Sequence, residues 1–220
     1  GIGDDTANLV NLMIAARHLA RREDELTQGV LIVANACEEG LGNLDGTKAL
    51  FAAYGARVKA FYSLDGKLGH CCSGAVGSYR YRVTCRTAGG HSYANFGNAN
   101  AIECLAHLIE DLYAVKLPES ARTTFNVGRI EGGSTVNSIA QYAAMLYEFR
   151  SPSQECLDYM KVQFDAILDA NRNRGGEFAA ELLGVRPGDG ALNREALQAF
   201  TARTLDVIRS YYDGELTVTP

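Results

Sequence analysis

The chain has 220 residues, 47% hydrophobic and 21% charged, with 21 Lys and Arg against 26 Asp and Glu for a formal net charge of −5. This composition excludes a disordered chain, and with no Lys/Arg run or basic stripe there is no electrostatic case for nucleic acid or an anionic membrane. Apolar stretches such as 29–34 fall well short of the roughly 18 residues that a membrane span needs, so a soluble fold is expected. The six cysteines (Cys37, Cys71, Cys72, Cys85, Cys104 and Cys156) are too sparse for a disulfide scaffold, and the adjacent pair cannot bond without strain. With no apolar signal segment at the start, they read as reduced thiols of a cytoplasmic protein.

Residues 6–21 carry Leu9, Leu12, Met13, Ala16, Leu19 and Ala20 at helical spacing, with Asp4 and Asp5 at the end where carboxylates suit the helix dipole. Residues 29–36 (GVLIVANA) form a continuous apolar run suited to a buried parallel strand. A helix over 44–54 and a second strand over 58–63 complete a segment of α/β type. From 78 the pattern alternates: Tyr79, Tyr81, Val83 and Cys85 fall on one face, Arg80, Arg82, Thr84 and Arg86 on the other, as in a half-exposed antiparallel strand. A helix over 98–115 capped by Asn98 or Asn100, strands over 123–130 and 142–149, a helix over 153–171 and a strand over 177–183 follow. That succession is the ferredoxin-like order. A turn-rich stretch, 184–190 (GVRPGDG), precedes a last helix over 194–211. The chain therefore reads as α/β: a partial doubly wound domain from 1–74 and 189–220, interrupted by a ferredoxin-like α+β domain over 75–188.

Three acidic features stand out by position. Glu38-Glu39 follows the strand 29–36, Asp65-Gly66 follows the strand 58–63, and Asp4 precedes the first helix. Sites in open parallel sheets form outside the carboxyl ends of strands, and carboxylates gathered there need a compensating cation or protons. Local readings stand beside these: Asp4 as a helix N-cap, Asp65-Gly66 as a turn, and the Glu pair as a solvated loop.

Taken in order, GDDTA at 3–7, CEEGLG at 37–42 and LDG at 64–66 resemble the dizinc aminoacylase and carboxypeptidase-type metallopeptidases, most closely the tripeptide-aminopeptidase-like branch. Gly89-Gly90-His91-Ser92 ahead of Asn100-Ala101-Ile102 resembles the family's lid motif, while Gly132-Gly133 with Asn137, and Phe149-Arg150, are similar to its substrate-carboxylate motifs. The resemblance implies a hydrolase with two zinc ions. Asp4 would bridge them, Glu39 and Asp65 would bind one each, and Glu38 would be the general base. It further implies that His91 stabilises the oxyanion across a dimer interface, and that Asn137 and Arg150 hold the substrate's amide oxygen or carboxylate. The family's upstream His-x-Asp motif and final histidine are not among these residues, so an incomplete ligand set and an incomplete chain are expected.

The leading reading is cleavage of a short peptide or N-acyl amino acid by a homodimer joined through the inserted domain. A non-peptide N-acyl amidohydrolase and a non-catalytic dimerising protein are the alternatives. The strand 78–87 and helix 98–115 are expected to form the lid-to-lid interface.

Overall fold

The computed structural model describes residues 2–66, 69–190 and 192–219, with the side chains of residues 2–4 outside the description. In chain order the elements are a π-helical turn (Ile2–Ala7), α1 (Asn8–Ala20), α2 (Asp45–Tyr54), β1 (His70–Cys72), β2 (Gly77–Arg86), β3 (Gly90–His91), α3 (Ala101–Tyr113), β4 (Thr124–Gly132), β5 (Ser138–Ile139), β6 (Tyr142–Ser151), α4 (Gln154–Asn171), β7 (Glu177–Arg186), α5 (Arg194–Arg209) and β8 (Thr217–Thr219). They divide into two compact units, Gly1–Gly74 with Asn193–Pro220, and Ala75–Leu192.

The second unit is a four-stranded antiparallel sheet of order β4-β6-β2-β7, the strand order of a ferredoxin-like fold. Its two helices pack against the β2 and β6 region of the sheet. The inward residues of β2 (Tyr81, Val83, Cys85) and β6 (Met145, Tyr147, Phe149) meet Leu105, Leu108 and Leu112 of α3, and Leu157, Met160 and Phe164 of α4. Phe164 stacks on Tyr81 at 4.4 Å and on Tyr147 at 5.5 Å. Asn100 accepts from the Ile102 amide and Ser153 from the Cys156 amide, each satisfying one orphan donor of its helix's first turn.

β2 lies in the middle of the sheet. Both of its edges are already paired, with β6 and with β7, so it has no free backbone to offer a second chain. The open edges belong to β4 and β7. Over Thr124–Val127 the β4 edge is partly covered, where the Val127 amide donates to the Tyr113 hydroxyl at 3.4 Å. Beyond the bulge between Val127 and Arg129, the strand is exposed through Gly132.

In the first unit, β1 pairs in parallel with β8, His70 opposite Thr217. The segments expected as strands, 29–36 and 58–63, carry no strand pairing among the described residues. Val30, Leu31 and Ile32 are 52%, 55% and 41% exposed. A parallel strand needs a neighbour to take its amides and carbonyls and layers to cover its faces. Helices do cover part of them, Phe51 of α2 meeting Phe61 at 5.3 Å and Phe200 of α5 meeting Tyr62 at 5.1 Å, but among the described residues no strand pairs with either segment.

Candidate functional site

Glu38 and Glu39 occupy an exposed, tightly wound turn. The Leu44 amide donates to the Cys37 carbonyl at 2.8 Å, and the Gly42 amide donates to that of Glu39 at 2.9 Å. Three non-glycine residues around it, Cys37 (φ 65°), Asn43 (φ 58°) and Leu44 (φ 59°), sit in the left-handed region, a costly conformation that clusters at functional sites. A Cβ at Gly42 would lie 2.6 Å from the Cys37 Cα, so only glycine closes the turn this way. Asp65 is exposed and accepts from the Gly66 amide through Oδ1. Asp4 lies in the π-helical turn, but its side chain falls outside the described residues. Among the described residues no three His, Cys, Asp or Glu side chains gather as a metal site. By themselves, then, the described residues do not make a zinc centre.

His91 and Asn137, on the second unit, are brought together. β3 pairs with β5, His91 opposite Ser138, and the Ser92 amide donates to the Asn137 carbonyl at 3.0 Å. The imidazole is wired from behind. The Tyr93 and Ala94 amides donate to Nδ1 at 3.2 and 3.3 Å, which makes Nδ1 an acceptor and places the proton of the neutral ring on Nε2. The His91 amide in turn donates to Asn95 Oδ1 at 2.9 Å. Gly90 (φ 142°) passes so close that a Cβ there would lie 2.7 Å from the Asn95 Cβ. Asn137 Oδ1 accepts from the Thr135 hydroxyl at 2.9 Å, leaving its amide nitrogen as a donor. Both residues are exposed.

Arg150 is not with them. The β3–β5 ribbon adjoins the Tyr142 end of β6, where the Thr87 amide donates to the Gln141 carbonyl. Arg150 lies eight residues further along that strand, roughly 26 Å at strand rise. There it sits in register with Ser78, whose other neighbour across the sheet is Arg186. Among the described residues Arg150 Nε and the Ser78 hydroxyl are buried with no hydrogen-bond partner, which leaves donors for an oxyanion.

All six cysteines are free; burial pushes the Cys85 thiol up to about 12, far from the thiolate that attack requires, whereas the hydrogen bond with Ser120 lowers the Cys156 thiol, which is itself buried. Sequence reasoning missed Asn95 as the clamp on His91, and the left-handed Cys37, Asn43 and Leu44. The Gly89-Gly90 pair was the available signal for the first, since adjacent glycines mark backbone in unusual conformations.

Residues 73–175 match the family model described as a peptidase dimerisation domain of the M20 type. No curated protein matches the chain in sequence. Among solved structures, the aminopeptidase PepT of Bacillus cereus is similar at 21% identity with a TM-score of 0.65, over 98% of this chain and 56% of that one. A tripeptidase from Staphylococcus aureus is similar at 20% identity with a TM-score of 0.62, over 99% of this chain and 57% of that one. An aminobenzoyl-glutamate utilization protein from Klebsiella pneumoniae is similar at 13% identity with a TM-score of 0.56, over 70% and 40%. The chain thus spans between two fifths and three fifths of these relatives' length, and at these identities the likeness is one of fold. Residues 73–175 are thus a peptidase dimerisation domain of the M20 type, carried between two segments that share the fold of these enzymes.

Proposed function

We propose that the protein is a metal-dependent hydrolase, working as a homodimer, that cleaves the amide bond of a short peptide or an N-acyl amino acid. The observation that carries this reading is His91, held on a peptidase dimerisation domain with Nδ1 occupied and Nε2 left as a donor. A positioned neutral donor is what a developing oxyanion requires. The Nε2–H of His91 and the side-chain amide of Asn137 take the carbonyl oxygen as it becomes tetrahedral. Glu38, on its strained turn, takes the proton of the attacking water and returns it to the leaving amine. Asp4, Glu39 and Asp65 are the carboxylates through which this chain would hold a divalent cation. Three oxygen donors without an imidazole favour hard cations and fall short of two complete zinc sites.

Arg150 is assigned the substrate carboxylate, which its fork-shaped guanidinium suits. A tripeptide spans about 10 Å, well under the separation of Arg150 from His91 along one protomer. One substrate therefore meets Arg150 of one chain and His91 with Asn137 of the partner chain. The exposed Arg129–Gly132 stretch of β4, with Ile130 58% and Ile102 of α3 45% exposed, is the edge through which the two lids join. Among the described residues no helix is long and apolar enough to cross a membrane, and the free thiols suit a reducing cytoplasm.

The test is hydrolysis of a panel of di- and tripeptides and N-acyl amino acids by the metal-loaded protein, together with sedimentation. Turnover by a dimer supports the proposal. Turnover confined to non-peptide acyl amides would point to the amidohydrolase alternative, and a dimer that turns over nothing to a non-catalytic role.

A further inference from the structure

We propose that Tyr93, Phe96 and Val136 form an apolar subsite around His91, and that it selects substrates with a large apolar side chain on the acyl side of the scissile bond. The inference rests on the hydrolase reading above. Tyr93, Phe96 and Val136 are 90%, 91% and 102% exposed, while the next most exposed large hydrophobic of the same unit, Val162, is 63%. Leaving three such side chains bare is unfavourable at roughly 25 cal/mol per Å² of apolar surface.

Their placement is not scattered. Tyr93 donates its amide to the His91 ring, and Phe96 follows on the same loop directly after Asn95, which clamps His91. Val136 lies in the turn between Thr135 and Asn137, and the Ser92–Asn137 bond laces that turn to the His91 loop. Two polar donors, His91 Nε2 and the Asn137 amide, thus share two laced turns with three apolar side chains. A small-molecule site has this make-up, an apolar lining with a few placed polar groups.

Charge narrows the substrate class further. Residues 87–102 and 132–147, which contain both turns, include no Asp, Glu, Lys or Arg, in a chain that is 21% charged. No carboxylate, ammonium or guanidinium on these turns can form an ion pair with a basic or acidic substrate side chain, and burying such a charge unpaired is costly. A leucine-like or phenylalanine-like side chain meets neither obstacle.

The experiment compares kcat/KM of the metal-loaded protein on X-Gly dipeptides and N-acyl-X amides, with X as Gly, Leu, Phe, Glu or Lys. The expected result is at least a tenfold preference for Leu and Phe over Gly, Glu and Lys. In Tyr93→Ala, Phe96→Ala and Val136→Ser the Leu-to-Gly ratio collapses toward one, while Val162→Ala keeps it. Hydrolysis without that preference, or variants that keep the ratio, would overturn the subsite and leave the hydrolase reading standing. Absence of turnover on every substrate overturns both. Variants that sediment as monomers and lose all substrates equally would show these side chains to be dimer contacts, which also overturns the subsite.

Discussion

Replacing Gly90 with Ala tests how the oxyanion donor is held. Gly90 has φ 142°, where an L side chain is strained, and its Cβ would stand 2.7, 2.8 and 2.9 Å from Asn95 Cβ, Oδ1 and Cγ. The side chain of Asn95 has to leave, and with it goes the 2.9 Å bond from the His91 amide. Backbone strain of this kind costs about 1–3 kcal/mol and one lost hydrogen bond about 0.5–1.5, so the local structure is destabilised by roughly 2–4 kcal/mol, or about 30-fold or more in local opening. Amide exchange of Ser92, Tyr93 and Ala94, whose donors are held by Asn137 and the His91 ring, should accelerate by that factor or lose protection entirely. The ¹⁵N signal of His91 Nδ1 should lose its acceptor character. In an Asn95→Gly background, Gly90→Ala should cost only the strain component, and the difference between the two backgrounds measures the clash. Unchanged exchange and an unchanged imidazole signal in Gly90→Ala would refute the wiring of His91 described here.

Four further outcomes follow from the same structure. Gly176→Ala drives a Cβ to 2.5 Å from the Cys85 sulfur and 3.2 Å from that of Cys104. This overpacking should cost about 1–3 kcal/mol in denaturant melts and be partly relieved by adding Cys85→Ala. Ser153→Ala and Asn100→Ala should each lose about 1 kcal/mol, through the N-caps of α4 and α3. Burial pushes the Tyr81 phenol and the Cys85 thiol up to about 12 and shifts Tyr147 in the same direction. These groups keep protons in the folded state that the unfolded chain releases, so their contribution is full below about pH 9 and is lost as pH rises through 12. Alkaline titration of the tyrosine absorbance and of stability checks this. Ile130→Asp, on the open half of β4, should shift the protein toward monomer in sedimentation without lowering the melting temperature of the isolated subunit.

Much of the second unit was legible because its signals are local. The alternation across Tyr79–Arg86 records one buried and one solvated face, and Asn100 and Ser153 announce their helices by capping chemistry. What alternation does not encode is a strand's neighbours. Nothing within residues 78–87 says that β2 lies in the middle of the sheet, with both of its edges paired. In the run 29–36, hydrophobicity reports a demand for burial without naming a partner, and among the described residues none pairs with it. The site shows the same division. The Glu38-Glu39 pair and His91 were visible as motifs, whereas the Asn95 clamp depends on a left-handed glycine bringing residues four apart into contact. Likewise, the separation of Arg150 from Asn137 depends on which end of β6 each adjoins.

The central claim, that Glu38 drives hydrolysis of an amide bond, is tested most directly by Glu38→Gln in the metal-loaded protein, with turnover of a cleaved dipeptide and metal content measured on the same samples. Gln is close to isosteric and cannot accept the water's proton. The account predicts wild-type turnover, at least a hundredfold loss in the Gln variant, and unchanged metal content and dimer state. Full activity in Glu38→Gln, or loss of activity accompanied by loss of the metal, would contradict it.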